Sequence, residues 1–212
     1  MQATRIIAVR HGETAWNVDT RIQGHLDIAL NDVGLWQAGR VASALADEPI
    51  DAIYASDLLR AWQTAQAIAE VVACPLQAHN GLRERGFGDF EGHTYTEIES
   101  TWPGLSMQWR QREPQWAPPG GESLITVRER VQGTVDRLAA QHVGGQIVLV
   151  AHGGVMDILY RLATGQDLRA PRAWQLGNAA INRLLWTPDA LTLVGWADTA
   201  HLDAASLDER HT

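Results

Sequence analysis

Apolar and polar positions fall into blocks whose period changes along the chain, and each change marks an element. Ile6–Val9, Ala52–Ala55 and Ile147–Val150 are unbroken apolar runs bounded by polar residues. Runs this short predict strands buried on both faces. Between them the spacing becomes helical. Leu35, Ala38, Val41, Ala42 and Leu45 share one face, and Asn31 is placed to cap that helix. Ser56 reads as the next cap, with Leu58, Leu59, Trp62, Ala65, Ile68 and Ala69 turned inward. Leu76–Ala78 predicts a third short strand. Ser123 opens a long amphipathic helix with Val127, Val131, Val135 and Leu138 on one side, and Gly154–Ala163 predicts another helix. Ala180–Trp186 and Leu191–Trp196, joined by the Thr187–Asp189 turn, predict a closing hairpin.

Strands alternating with helices predict an α/β fold with a mostly parallel central sheet covered on both faces. No linker or internal repeat interrupts the chain, so residues 1–212 are expected to form a single domain. Gly81–Gly121 breaks the pattern. This stretch is irregular, with short helices expected near Thr94–Glu99, where Thr94 and Glu97 have capping-box spacing, and Leu105–Arg110. Residues 86–120 thus read as a cap-like insertion. Within it Trp102, Trp109 and Trp116 recur every seven residues. They are expected to pack a cap helix, the alternative being an aromatic wall over a ligand. The tail from Asp203 is polar and expected to fray.

Composition narrows the function. The net charge of −8 argues against a nucleic-acid partner, whose electrostatic footprint is basic. No segment approaches the roughly 18 apolar residues of a membrane span. MQATRIIAV reads as the first strand and not as a signal peptide. Cys74 is the only cysteine, which excludes an internal disulfide and a Cys-rich metal site. A cytoplasmic location is the expectation. All 17 basic residues are arginine. Anion recognition must therefore use arginine, histidine or backbone N–H groups.

The chemistry gathers at two strand ends. IIAVRHG and IVLVAHGG each run from an apolar strand into histidine and glycine. In open α/β sheets ligands bind beyond the carboxyl ends of strands. Each glycine would let the backbone approach a ligand, and the turns that follow would offer N–H donors. Arg10 adds a forked cation beside His11, and Arg60 lies just past the Ala52–Ala55 strand. With His152 these residues describe a phosphate pocket. Zinc would want H-x-x-x-H or H-E-x-x-H spacing, which the chain lacks, so neither metal nor cofactor is expected. The other histidines, His25, His79, His93, His142, His201 and His211, have no partner pattern.

RHGETAWN resembles the signature of the histidine phosphatase superfamily, the phosphoglycerate-mutase-like family. The resemblance extends through IQGHLDIALNDVGLWQAG, SDLLRAWQTA, LRERGFGDFEG, PPGGES and VAHGG, in the family's order. It implies a three-layer α/β/α sandwich and a phosphohistidine mechanism without metal. By position His11 would be the nucleophile, Arg10, Arg60 and His152 would grip the phosphoryl group, and Glu84 would donate the proton. Asn17, Gln23, Gly24 and Gly153 would line the pocket. Without the resemblance, Glu84 reads as an ion-pair partner of Arg83 or Arg85.

The family contains phosphatases and mutases. Glu84-Arg85 matches the mutase pattern, but Phe87 and Tyr95 stand where the mutases carry tyrosine and lysine. The segment before PPGGES is also more compact than theirs. A phosphatase of small phosphorylated metabolites is therefore expected. The alternative aromatic wall would favour such monoesters because it offers few charges, although Arg110 and Arg112 could supply some. A cofactor-dependent phosphoglycerate mutase and a non-catalytic phosphoryl-group or partner-binding module are the alternatives. The exposed hairpin could pair sheets in a homodimer.

Overall fold

The three longest apolar runs lie side by side in one sheet. The computed structural model describes residues 2–203. Six strands, β1 (Thr4–Arg10), β2 (Ala52–Ala55), β3 (Leu76–Ala78), β4 (Gln146–Ala151), β5 (Ile181–Thr187) and β6 (Ala190–Asp198), pair in the order β3-β2-β4-β1-β5-β6. The first four are parallel, and the β5–β6 hairpin adds antiparallel to β1. The hairpin expectation holds, with ends moved by one or two residues. The His211 position and the tail beyond Asp203 lie outside the described residues.

Side-chain alternation along the central strands divides the core in two. Ile6, Ala8, Ile147 and Leu149 face α6 (Leu124–Ala140) and α7 (Gly153–Thr164). Ile7, Val9, Val148 and Val150 face α2 (Asp32–Ala44) and α3 (Leu59–Val72). Every residue of β4 is buried, as its unbroken apolar run requires. No helix of the described residues is long and apolar enough to cross a membrane.

Local chemistry explains the helix starts. Asn31 caps α2 by accepting from Gly34 N, and Ser123 caps α6 by accepting from Thr126 N, as the sequence predicts. The expectation for Ser56 is corrected. The first residue of α3 is Leu59, whose amide donates to Asp27 Oδ1 at 2.6 Å, while Ser56 Oγ accepts only from Leu58 N at 3.3 Å. Leu35 and Leu59, expected inward, are exposed. Leu59 opens α3 and Leu35 lies on the first turn of α2, each ahead of most of its helix's buried residues. One short helix, α1 (Ala15–Val18), buries no residue and, at four residues, is too short to leave a periodic signal.

The stretch from Gly86 to Gly120 forms a separate small core. α4 (Tyr95–Thr101) and α5 (Pro103–Arg110) pack with Ile22, Phe90 and Ile98. The Thr94–Glu97 capping box is present. The tryptophans do the expected packing, since Trp102, Trp109 and Trp116 surround Phe90 at centroid distances of 5.7, 5.4 and 6.4 Å. Trp109 does more, stacking on Tyr95 with an interplanar angle of 11° on the side of the cavity described next.

Candidate active site

Register brings the two histidines together. Arg10 at the end of β1 pairs with Ala151 at the end of β4, so the next residues, His11 and His152, emerge at the same level. Their ring centroids lie 5.2 Å apart. Both side chains are buried. His11 Nδ1 lies 2.7 Å from Gly12 O, and a carbonyl can only accept, so Nδ1 carries the proton. Nε2 then keeps its lone pair. Burial, and then Arg60 and Arg10, hold His11 well below the usual 6.5, with the Gly12 contact opposing them. His11 is therefore neutral near pH 7.

The charged partners come from neighbouring elements. Arg60, on the first turn of α3, is almost fully buried and donates to Gly24 O at 2.8 Å and Leu26 O at 2.9 Å. Arg10 Nη1 donates to Leu176 O. Their Nε groups, and both ring nitrogens of His152, are buried without a hydrogen bond among the described residues. Unmet buried donors are costly and mark a place for a ligand. The guanidinium groups are donors, neutral His152 has one N–H, and phosphoryl oxygens are acceptors. Burial, Arg60, His11, Arg10 and His25 together hold His152 well below 6.5. It stands as a neutral donor, not as a cationic clamp.

Glu84 reaches the same place from the loop after β3. Both its oxygens lie 3.0 Å from Gly154 N at the start of α7, and Oε1 also accepts from Arg85 N at 2.8 Å. The ion-pair reading is not what the structure has. Arg83 pairs with Asp57 at 2.6 Å, and Arg85 Nε donates to Glu122 O. A Cβ on Gly154 would collide with Glu84, so this glycine admits a carboxylate to the helix terminus. Gly12 plays a different part from the one expected. Its added Cβ would meet Gly34 O at 2.5 Å, so it lets α2 approach β1 and does not face a ligand.

A cage fixes the Glu84 loop from behind. Arg130, on α6, donates to the carbonyls of Gly81, Arg83 and Glu84, and binds both oxygens of Glu122. His25 Nε2 donates to Glu84 O at 2.7 Å. His25 is thus no bystander, though its sequence context gave no pattern. His79 accepts from Gly81 N, His142 meets Tyr54 Oη, His201 meets Ala179 O, and His93 lies near Glu97.

These groups, except the fully buried His152, which does not line the wall, open into a cavity of about 410 Å³. Arg10, His11, Arg60, Glu84 and Gly153 line it, with Asn17, Gln23 and Gly24. The Asn17 carboxamide is committed to capping α1, where Oδ1 accepts from Thr14 N and Asn178 Nδ2. Asn178, absent from the sequence reading, also donates to His11 O and Gly12 O. Phe87, Tyr95 and Trp109 form an aromatic side, and Arg112, as the sequence allows, adds a cation there together with Arg85 and Arg172. Arg110 instead pairs with Glu99 on the surface. Arg172 follows no motif and had no sequence signal. Among the described residues, no cluster of three or more histidine, cysteine or acidic side chains is placed to hold a metal ion.

A mostly parallel sheet covered by helices, with paired histidines at adjacent strand ends amid buried arginines, places the protein among α/β proteins with an anion-binding crevice at the strand ends. The chain belongs to the histidine phosphatase superfamily, branch 1, whose family model matches residues 6–199. It is 39% identical to phosphoglycerate mutase-like protein 4 of Arabidopsis thaliana, over 93% of this chain and 86% of that one. It is 34% identical to a metal-independent phosphoserine phosphatase of the same plant, over 99% and 87%. A native mycobacterial glucosyl-3-phosphoglycerate phosphatase superimposes with a TM-score of 0.84 at 32% identity, covering 93% of this chain and 100% of that one.

Proposed function

We propose that the protein is a metal-independent phosphatase that hydrolyses small phosphate monoesters through a phospho-His11 intermediate. The observation that carries this reading is the His11 tautomer. Nδ1–H is held by Gly12 O in a buried setting that keeps the ring neutral, and Nε2 is left as the nucleophile. In the first step Nε2 attacks phosphorus, the P–O bond to the alcohol breaks, and protonated Glu84 gives its proton to the leaving oxygen. Arg10, Arg60 and the His152 N–H take up the charge on the equatorial oxygens. In the second step water attacks the phosphoryl group, Glu84 takes the water proton, and the P–N bond breaks to regenerate neutral His11.

The relatives named above include phosphatases and a mutase-like protein. A mutase reading draws support from Glu84-Arg85 and from the arginines on the outer side of the cavity. The compact segment 101–121 and the Phe87 and Tyr95 positions favour hydrolysis. The test measures phosphate release in EDTA from p-nitrophenyl phosphate and a panel of metabolites, beside interconversion of 3- and 2-phosphoglycerate primed with the bisphosphate. Hydrolysis that outruns isomerisation is expected. Isomerisation that outruns hydrolysis makes the protein a mutase, and absence of both makes it a binding module.

A further inference from the structure

The nucleophile's geometry rests on a carbonyl that needs support of its own. Burial keeps His11 neutral, so its one ring proton must reside on either Nδ1 or Nε2. The contact of Nδ1 with Gly12 O at 2.7 Å settles which, and leaves the lone pair on Nε2. Among the described residues Nδ1 has no other acceptor. This acceptor belongs to a glycine, the residue type with the widest backbone freedom. Packing demands that glycine, because an added Cβ would meet Gly34 O at 2.5 Å. A carbonyl free to turn would release the Nδ1 proton, and nothing would then keep it off Nε2.

Two side chains from distant parts of the chain hold this peptide at its two ends. Asn178 Nδ2 donates to His11 O at 3.0 Å, to Gly12 O at 3.2 Å and to Asn17 Oδ1 at 3.2 Å. The two carbonyls can only accept, so the amide nitrogen of Asn178 faces them, and not its oxygen. Gly12 O has two lone pairs, one for His11 and one for Asn178. At the other end of the same peptide, Glu13 N donates at 2.8 Å to Oε1 of Gln37 on α2. With both its C=O and its N–H tied, the Gly12–Glu13 peptide plane rotates only by breaking a bond at each end.

The turn that delivers Asn178 is strained. The next residue, Ala179, is fully buried with φ at 57°, a left-handed conformation that alanine seldom adopts. Its N–H donates to Arg10 O at 3.0 Å and to His11 O at 3.2 Å, which docks the turn on the end of β1. Strain held beside a nucleophile points to a function for the turn. Neither Asn178 nor Gln37 lines the cavity, so contact with substrate does not explain them.

We propose that Asn178 is a positioning residue that locks the His11 tautomer by holding Gly12 O, with Gln37 holding the other end of the same peptide. It acts through His11 and touches no reacting atom. The proposal rests on the phospho-His11 reading and adds what keeps that nucleophile competent.

The test reads tautomer and chemistry separately. In protein carrying isotope-labelled histidine, NMR correlations between ring nitrogens and ring C–H protons distinguish Nδ1–H from Nε2–H. Loss of one set of signals in His11→Ala assigns that set to His11. The unmodified protein should show Nδ1–H. Asn178→Ala should add Nε2–H and slow single-turnover phosphorylation roughly 3- to 10-fold, the range of one neutral hydrogen bond. The slowing should be equal for alkyl phosphates and p-nitrophenyl phosphate, because the nucleophile and not the acid is impaired, and KM should change little. Asn178→Asp keeps the shape but turns a carboxylate oxygen on both carbonyls, and its effect should be larger. Gln37→Ala, at a part-exposed position of α2, should give the same signature more weakly, and it decides the matter if the Asn178 variants fold poorly. Nε2–H in the unmodified protein overturns the proposal, as does pure Nδ1–H in both alanine variants. Slowing confined to KM or to one class of substrate overturns it too. If the unmodified protein hydrolyses no phosphate ester, the phosphatase reading fails, and the spectra still decide whether the lock exists.

Discussion

A histidine at the end of a buried strand ordinarily serves as a hydrogen-bonded packing residue. What separates His11 from that role is the atom it leaves unused, Nε2, beside two arginines whose Nε groups are also unmet. Sequence located His11, His152, Arg10 and Arg60, because strand ends and nearby arginines can be read along one dimension. It did not locate the tautomer, which depends on where Gly12 O points, nor Asn178 and Arg172, which arrive from distant loops. The depressed pKa of both histidines carries a stability consequence. The folded protein keeps them neutral, while the unfolded chain binds protons as the pH falls through 6.5. Unfolding is thereby favoured on acidification, and equilibrium denaturation at pH 7 and pH 5 should show stability falling with pH. His11→Asn should flatten part of that dependence. Glu84 makes a kinetic prediction. An alkyl phosphate expels a basic alkoxide, whereas p-nitrophenyl phosphate expels a stable phenolate. Glu84→Gln should slow single-turnover phosphorylation by alkyl phosphates about 10²–10⁴-fold and by p-nitrophenyl phosphate much less. Equal slowing for both would remove Glu84 from the role of leaving-group acid.

At the scale of elements, α6 does more than cover the sheet. Its apolar side was legible from Val127, Val131, Val135 and Leu138, all of which are buried. Its polar side was not, because Arg130 acts on carbonyls from a loop that lies 46 to 49 residues earlier. Arg130 is a positioning residue. It holds the backbone of the loop that carries Glu84, and a lysine cannot satisfy three carbonyls and a carboxylate with one ammonium. Arg130→Lys should therefore lower the single-turnover rate with alkyl phosphates more than with p-nitrophenyl phosphate, in the manner of Glu84→Gln but more weakly. A merely structural arginine would lower stability and leave that ratio between substrates unchanged. The α3 start shows the same limit of sequence reading. Ser56 sits at cap spacing, yet Asp27, 32 residues away, takes the Leu59 amide. Local spacing proposes a cap, and tertiary placement decides which side chain fills it.

At the scale of the molecule, the fold class was legible because burial on two faces leaves unbroken apolar runs, and β4 is such a run in full. Strand order was not, since β4 enters between β1 and β2 late in the chain. That insertion is what sets His152 beside His11. Leu149, fully buried in β4 against α6 and α7, should cost about 2–5 kcal/mol when truncated to alanine. Denaturant titration should show the loss, while the kcat of molecules that remain folded should change little, because the side chain does not line the cavity. The small aromatic core around Phe90 stands apart from both sheet cores, so the segment that shapes the outer cavity can vary without disturbing the strands that place the histidines. The proposed chemistry depends on a covalent bond between His11 and phosphorus. Rapid mixing with substrate labelled in the phosphoryl group, followed by an alkaline quench, tests it most directly. The expected result is protein-bound label that survives alkali, disappears in acid and is absent from His11→Ala. No label in the unmodified protein, or label retained in His11→Ala, would contradict it.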